Sequence, residues 1–273
     1  MIEDRILSEI LNAGPAFLLI AVRALAMIET APLLSSGSIP QVAKLSLAGF
    51  AAYAAFPSAL VRDWVLAPFG LSFIFLIIGE AFIGIIIGFY LTIIFAAFST
   101  AGQFFSLQMG FGASETFDPL AQVENPLIGQ YLNLVAMLVF VTIDGFRELF
   151  LGGFWRSLQS INVMSLIGGR EKIVTMILAG LSRLFLDAII ISLPILGTLF
   201  LTSLATGLIS KASPQINILS EGFPISITTA FILIFATLPF ITEAVSRVIN
   251  SGFTGIQTLY IEIGQRIING GGL

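Results

Sequence analysis

The feature that most restricts the fold of this chain is an apolar run over residues 65–98 that contains one charged residue, Glu80. A run of this kind is typical of a membrane helix, for which about 20 consecutive apolar residues are enough. This run is longer than one untilted span requires. We therefore predict a helix that tilts, breaks or extends beyond the bilayer.

The remainder of the chain has the same apolar character. Of its 273 residues, 57% are hydrophobic and only 10% are charged. A soluble protein of this length would need a charged surface, and 12 basic and 16 acidic residues are too few to supply one. We expect lipid or partner subunits to cover the rest. The net charge of -4 and the absence of a basic cluster argue against nucleic-acid binding.

Apolar runs separated by helix breakers predict an all-α membrane-associated protein of about six long hydrophobic helical segments, arranged as hairpins. Proline or glycine should kink several of them, for example at Pro194, Pro224 and Pro239. After the last segment, an amphipathic tail either docks to a partner or continues the helix. The predicted segments are residues 6–34, 42–60, 65–98, 127–143, 173–210 and 223–249.

Two stretches between these segments predict loops. Residues 103–126 carry three acids and no Lys or Arg, and Gly110, Gly112, Pro119 and Pro126 interrupt helix there. An irregular polar loop in a membrane protein is a candidate for function. The connection over residues 144–172 has mixed charge, and its glycines indicate turns.

The residue inventory argues against an enzyme. The chain has no histidine and no cysteine, so the usual general base, a thiolate metal site and a Ser-His-Asp arrangement are all excluded. It also lacks a GxxxxGK[ST] phosphate-binding loop. We predict no catalytic residues, no metal and no cofactor.

Charged residues inside apolar runs are the next candidates, because each is unfavourable in hydrocarbon. Glu80 lies near Gly84 and Gly88, a small-xxx-small pair that permits close helix approach. Glu80 is either a proton or ion site, or a hydrogen-bonded carboxyl at a subunit interface. Arg183 and Asp187 share a helix face and can pair, as can Glu243 and Arg247. Such charged residues more often anchor a helix or complete a subunit interface than conduct ions, and Arg23 and Glu29 in the first segment invite the same interpretation.

Several motifs then occur in order along the chain. Residues 108–112 read QMGFG, and residues 207–218 read GLISKASPQINI. With these motifs the chain resembles the FliR family of flagellar type III export-gate proteins, related to the SctT proteins of virulence secretion systems. Where many family members have an Asn-Gly-His-His stretch, residues 144–147 read DGFR, so no histidine-dependent role transfers. Further matching positions are Gly79, Glu80, Gly84, Gly88, Asp118, Pro119, Pro126, Gly129, Gln130, Pro194, Gly222, Phe223 and Pro224.

The resemblance implies a gate subunit in the bacterial inner membrane, at the flagellar basal body. Its partners would be FliP-like and FliQ-like subunits, an FlhB-like protein, the rod base and unfolded exported substrates. Residues 1–172 would resemble FliP and residues 173–273 a FliQ hairpin, within a helical, conical assembly that buries apolar helices against partners. The hairpin tip would comprise Lys211, Pro214, Gln215 and Asn217.

The leading hypothesis is a non-enzymatic pore subunit whose loop helps to plug the closed channel. Phe111 and Met109 would seal it, while glycines allow movement. The loop residues concerned are Met109, Gly110, Phe111, Gly112, Asp118 and Pro119. Three other interpretations remain open: an ordinary connecting loop, a scaffold that lines no pore, and a proton-coupled transporter of a small solute that uses Glu80.

Overall fold

The computed structural model describes residues 2–60, 70–110, 127–213 and 218–268, and every regular element within those ranges is a helix. The expectation of an all-α protein is confirmed for this part of the chain. The long helices are α1 (Ile2–Thr30), α2 (Gln41–Leu60), α3 (Leu71–Met109), α4 (Leu127–Thr142), α8 (Arg170–Ala212) and α9 (Ile218–Ile268). Between α4 and α8 lie α5 (Gly145–Arg147), the π-helix π1 (Glu148–Trp155), α6 (Arg156–Ser160) and α7 (Val163–Gly168).

Three helices in the described ranges are long and apolar enough to cross a membrane: α3, α8 and the part of α9 over Gly222–Ile263. Helix α4 is apolar but shorter. Three helices, rather than about six, therefore meet this criterion of length and composition. The larger number stays a prediction, as do the conical assembly and the proline kinks.

Helix α3 corrects the predicted start of the polar loop. Residues 103–109 were expected to be irregular, yet α3 continues to Met109. The reason is packing: Phe105, Ser106 and Met109 are buried at helical spacing, so this stretch joins the core despite its polar neighbours. Residues 111–126 lie outside the described ranges.

The connection over residues 144–172 is also corrected, because it is mostly helical rather than a loop. Leu149, Phe154 and Leu158 recur at helical spacing and are buried. Gly152 and Gly153 lie inside π1 instead of marking a turn. Asp144 provides the actual break before α5, with φ at 57° in the left-handed region that short polar residues tolerate.

The last helix is longer than predicted. Helix α9 extends to Ile268, so the amphipathic tail continues the final segment. Ile256, Leu259, Tyr260 and Ile263 are buried on one face of it. That face explains the continuation, because packing stabilises a helix far more than propensity does.

The chain forms two compact units. Unit 1 comprises Met1–Ile93, Asp144–Gly180 and Ser251–Leu273. Within it, α1 and α2 pack antiparallel, with Lys44 against Glu29 at one end and the rings of Phe17 and Phe56 6.0 Å apart at the other. Three alanines of α2 form the small face in this contact and are almost completely buried: Ala48, Ala52 and Ala55.

Unit 2 comprises Ile94–Ile143 and Leu181–Asn250. Its core includes Phe95 and Phe140, whose ring centroids are 5.7 Å apart. Gly102 and Gly129 bring α3 and α4 so close that a Cβ on Gly102 would overlap the backbone of Gly129. Both units combine separate stretches of chain. The likeness of residues 1–172 to FliP and of 173–273 to FliQ stays a prediction.

Candidate functional site

The base of the predicted plug loop is held by packing in unit 2. Helix α3 ends at Met109, whose side chain is completely enclosed. Gly110 follows with φ at 92°, a conformation that favours glycine. A Cβ on Gly110 would also overlap the ring of Phe223, near the start of α9. Both its backbone conformation and this contact therefore require glycine at position 110.

The remaining predicted plug residues lie outside the described ranges: Phe111, Gly112, Asp118 and Pro119. For Met109 the structure gives a specific surrounding. Because its side chain is enclosed by its own chain, Met109 anchors the start of the loop instead of facing an open space.

The strongest polar cluster lies in unit 1 around Glu80. The Arg23 side chain is fully buried, and its Nε donates to Glu80 Oε2 at 2.5 Å. Its other nitrogens donate to Ser157 Oγ and to the carbonyl of Ile161, each at 3.1 Å. Ser157 in turn donates to the carbonyl of Phe154 at 2.6 Å. A buried guanidinium thus joins α1, α3 and the segment after π1.

The structure gives separate partners to the two charged residues of α1 that the sequence analysis singled out. Arg23 pairs with Glu80, and Glu29 pairs with Lys44 at 3.0 Å. The carboxyl of Glu80 is enclosed by its own chain rather than by a second subunit. The sequence indicated that buried charges in these apolar runs need partners, but it did not indicate which charges meet.

The glycines beside Glu80 lie against α1. A Cβ on Gly84 would overlap the carbonyl oxygen of Arg23, and one on Gly88 would overlap Thr30 Oγ1. These close approaches put α1 and α3 in direct backbone contact. Thr92 adds a hydrogen bond from its hydroxyl to the Thr30 carbonyl at 2.7 Å.

A second set of contacts, which the sequence did not indicate, holds the C-terminal part of α9 to π1. The Tyr260 hydroxyl donates to the Gly153 carbonyl at 2.7 Å, and both groups are buried. Gln257 approaches Glu148 at 3.5 Å. The Gly153 carbonyl thus accepts two hydrogen bonds, one from Tyr260 and one from the Arg156 backbone N–H.

The other predicted site residues lie elsewhere. Arg183 acts electrostatically on Asp187 along α8, in unit 2. Lys211 lies in the last turn of α8. The other predicted tip residues are outside the described ranges: Pro214, Gln215 and Asn217. Within the described ranges no group of three or more His, Asp or Glu side chains could hold a metal.

Helix α8 exposes a regular apolar surface, which we call the α8 seam: Leu186, Ile190, Leu193, Gly197, Phe200, Leu204 and Gly207. These residues recur at alternating spacings of four and three, and all of them are exposed. A Cβ on Gly197 or Gly207 would meet no atom within 4 Å. This spacing is that of a helix that packs lengthwise against another helix.

Comparison with known proteins gives a consistent result. The model of the family described as "Bacterial export proteins, family 1" matches residues 15–252. The chain is 29% identical to flagellar biosynthetic protein FliR of Bacillus subtilis (strain 168), over 94% of this chain and 99% of that protein. It is 30% identical to FliR of Escherichia coli (strain K12), over 89% and 91%. It is also 28% identical to surface presentation of antigens protein SpaR of Shigella sonnei, over 59% and 61%.

Proposed function

The chain belongs to the bacterial export proteins, family 1, the family of the flagellar FliR proteins, and on that premise we propose that it is a pore-forming subunit of a flagellar type III protein export gate. It serves gate assembly and the passage of unfolded flagellar substrates across the bacterial inner membrane. It acts without catalysis and without a cofactor.

The observation that carries this proposal is the uncovered surface of α8 and α9. In the most apolar window of α3, 61% of the residues are buried inside the chain, against 33% for α8 and 17% for α9. Such surface is unfavourable in water, so lipid or other apolar helices must cover it. A subunit of a membrane assembly satisfies that requirement.

The α8 seam favours helices as the main covering. Two glycines in a helix interior each cost about 0.5–1 kcal/mol relative to alanine. Lipid chains gain nothing particular from a missing side chain, whereas a neighbouring helix can approach more closely. We propose FliP-like and FliQ-like subunits as these neighbours, with an FlhB-like protein and the rod base as further partners of the assembly.

The plug role belongs to the loop that begins at Gly110. Met109 and the contact between Gly110 and Phe223 fix where the loop leaves α3. Phe111 and the following residues then close the channel by excluding water from an apolar constriction. Met109 acts as the anchor, and the glycines supply the freedom to move.

Deletion of residues 111–113, which keeps Gly110 and its contact with Phe223, tests the plug. We expect the deleted chain to assemble and the ion leak per assembled gate to rise well above that of the intact protein. Gate abundance, measured by co-purification of a second subunit, normalises the leak. If assembly is preserved and the conductance is no higher than that of the intact gate, the plug role is wrong. The assignment of the chain as a gate subunit is not affected by that result.

The alternative is a proton-coupled transporter of a small solute with Glu80 as its coupling site. It has less support, because Arg23 binds Glu80 and the surrounding helices enclose both. Reconstitution of the chain alone separates the two functions. Proton-coupled uptake that disappears in Glu80→Gln supports the transporter, and absence of any uptake supports the gate.

A further inference from the structure

We propose that the outward side of π1 is a docking surface for an acidic helix of another gate subunit, with Arg147 and Arg156 each binding one carboxylate. The surface, named the π1 face, consists of Arg147, Leu151, Trp155 and Arg156. The inference rests on the assignment of the chain as a gate subunit, and it adds the chemistry of one partner to that assignment.

The backbone of π1 brings the two arginines to one side. The Arg156 backbone N–H donates to the carbonyl of Leu151, which lies five residues earlier, as in a π-helix. In a regular α-helix, the step from Arg147 to Arg156 would be about two and a half turns, and the two side chains would point in opposite directions. The wider π turn shortens this step to about two turns, so both side chains point the same way.

The burial pattern agrees with this geometry. Leu149 and Leu158 are buried, whereas Arg147, Leu151 and Arg156 are exposed. In a regular α-helix Arg156 would lie on the same side as Leu149, because the step between them is about two turns. A guanidinium in such an enclosed apolar place is strongly unfavourable. The π-helix therefore keeps Arg156 out of the core and aligns it with Arg147.

The inner side of this segment is fixed by hydrogen bonds to distant helices. The Tyr260 hydroxyl donates to the Gly153 carbonyl at 2.7 Å, and Arg23 donates to Ser157 Oγ at 3.1 Å. A surface supported in this way loses little conformational freedom when a partner binds, which favours affinity. The π1 face is thus a rigid surface, and π-helices frequently occur at functional sites.

The charges of the π1 face favour carboxylates as its ligands. Neither Arg147 nor Arg156 has a hydrogen-bond or ion-pair partner among the residues that the structure describes. The planar guanidinium of arginine binds a carboxylate through two parallel hydrogen bonds. Between the two cations, Leu151 is 51% exposed and Trp155 is half-buried. Arginine and aromatic residues are enriched in protein interfaces, and apolar contact beside an ion pair excludes water from it.

A partner helix fits this surface better than an anionic membrane does. Residues 144–156 contain two acidic and two basic residues, so the segment has no net charge. Segments that bind anionic lipid usually carry a cluster of about four to eight basic residues. Two fixed cations instead match two fixed anions. On an α-helix, carboxylates about seven residues apart have the same spacing of two turns.

Photocrosslinking from the centre of the π1 face tests the proposal. The probe is p-benzoylphenylalanine in place of Leu151, in the tagged full chain in native membranes. We expect a protein adduct whose crosslinked peptide, identified by mass spectrometry, carries two acidic residues about two turns apart. Arg147→Gln with Arg156→Gln should lower the adduct yield at least about tenfold. The matched control is Arg170→Gln with Lys211→Gln, which removes two other exposed cations and should change the yield less than about twofold.

The outcomes separate this docking surface from the proposed function. An adduct to lipid alone, no adduct, or an adduct whose yield does not depend on the two arginines would each overturn the proposal. Recovery of FliP-like and FliQ-like subunits with the tag is measured in the same samples. If they are recovered but the expected adduct is not, the docking surface is wrong and the gate assignment is kept. If they are not recovered, the gate assignment itself is wrong, and the docking surface that rests on it is wrong too.

Discussion

At the scale of single residues, the described glycines differ in what an added methyl group would meet. Gly84, Gly88 and Gly110 leave no room for one, whereas Gly168 would meet nothing within 4 Å. Only Gly110 among the described glycines combines a close contact with positive φ. Glycine is therefore required by the chain's own packing at the first three positions. At Gly168 nothing within the chain requires glycine.

Gly110→Ala should destabilise the base of the loop by about 1–3 kcal/mol, because it combines an unfavourable backbone conformation with overlap at Phe223. Hydrogen exchange at the end of α3 in the purified assembly measures this. Gly168→Ala is the matched control, and it should change exchange in its own segment very little. Equal small effects at both positions would contradict the assigned conformation of Gly110.

Tyr260→Phe removes one hydroxyl and leaves the ring. The Gly153 carbonyl then keeps only the hydrogen bond from the Arg156 backbone N–H, so the local stability of π1 should fall by about 0.5–1.5 kcal/mol. Hydrogen exchange over residues 148–155 should accelerate by roughly twofold to tenfold. Tyr53→Phe is the control at an exposed tyrosine. Exchange unchanged in Tyr260→Phe would show that the hydroxyl does not stabilise π1.

The sequence identified Glu80 as unusual but not its partner. Arg23 is 57 residues away, and Ser157 is a further 77 beyond Glu80. Pairing across such distances depends on which helices are neighbours, and local periodicity does not contain that information. For the same reason, the sequence predicted an amphipathic tail but not the contacts that Gln257 and Tyr260 make with π1.

At the scale of elements, long apolar runs predicted the long helices well, and the boundaries of α2 and α4 agree within one residue. The predicted loops are wrong where tertiary packing, rather than local sequence, determines the secondary structure. Residues 103–109 and 144–172 contain polar residues and glycines that favour loops locally. Burial of one face nevertheless keeps both stretches helical.

The α8 seam gives a prediction at this scale. Gly197→Leu should leave the chain's own fold intact, because nothing within the chain approaches that position. It should reduce co-purification of the partner subunits on the order of tenfold by blocking a close helix approach. Gly168→Leu is the control, since it fills open space away from the seam. If partner subunits co-purify with this variant as well as with the unchanged chain, the α8 seam is not part of the interface.

At the scale of the whole molecule, the main feature is the exposed apolar surface. Helices α8 and α9 are long enough to cross a membrane and are mostly uncovered by their own chain. The chain belongs to a family of bacterial export proteins, and we propose that partner subunits of the export apparatus cover this surface. Composition predicted that lipid or partner subunits cover this surface, but neither composition nor periodicity could identify a partner.

The most direct test of the central claim is the mass of the complex that a tagged copy of this chain forms when it is purified gently from native membranes. We expect a hetero-oligomer that contains FliP-like and FliQ-like subunits together with this chain. Recovery of the chain alone, or only with further copies of itself, would contradict its assignment as a subunit of the export gate.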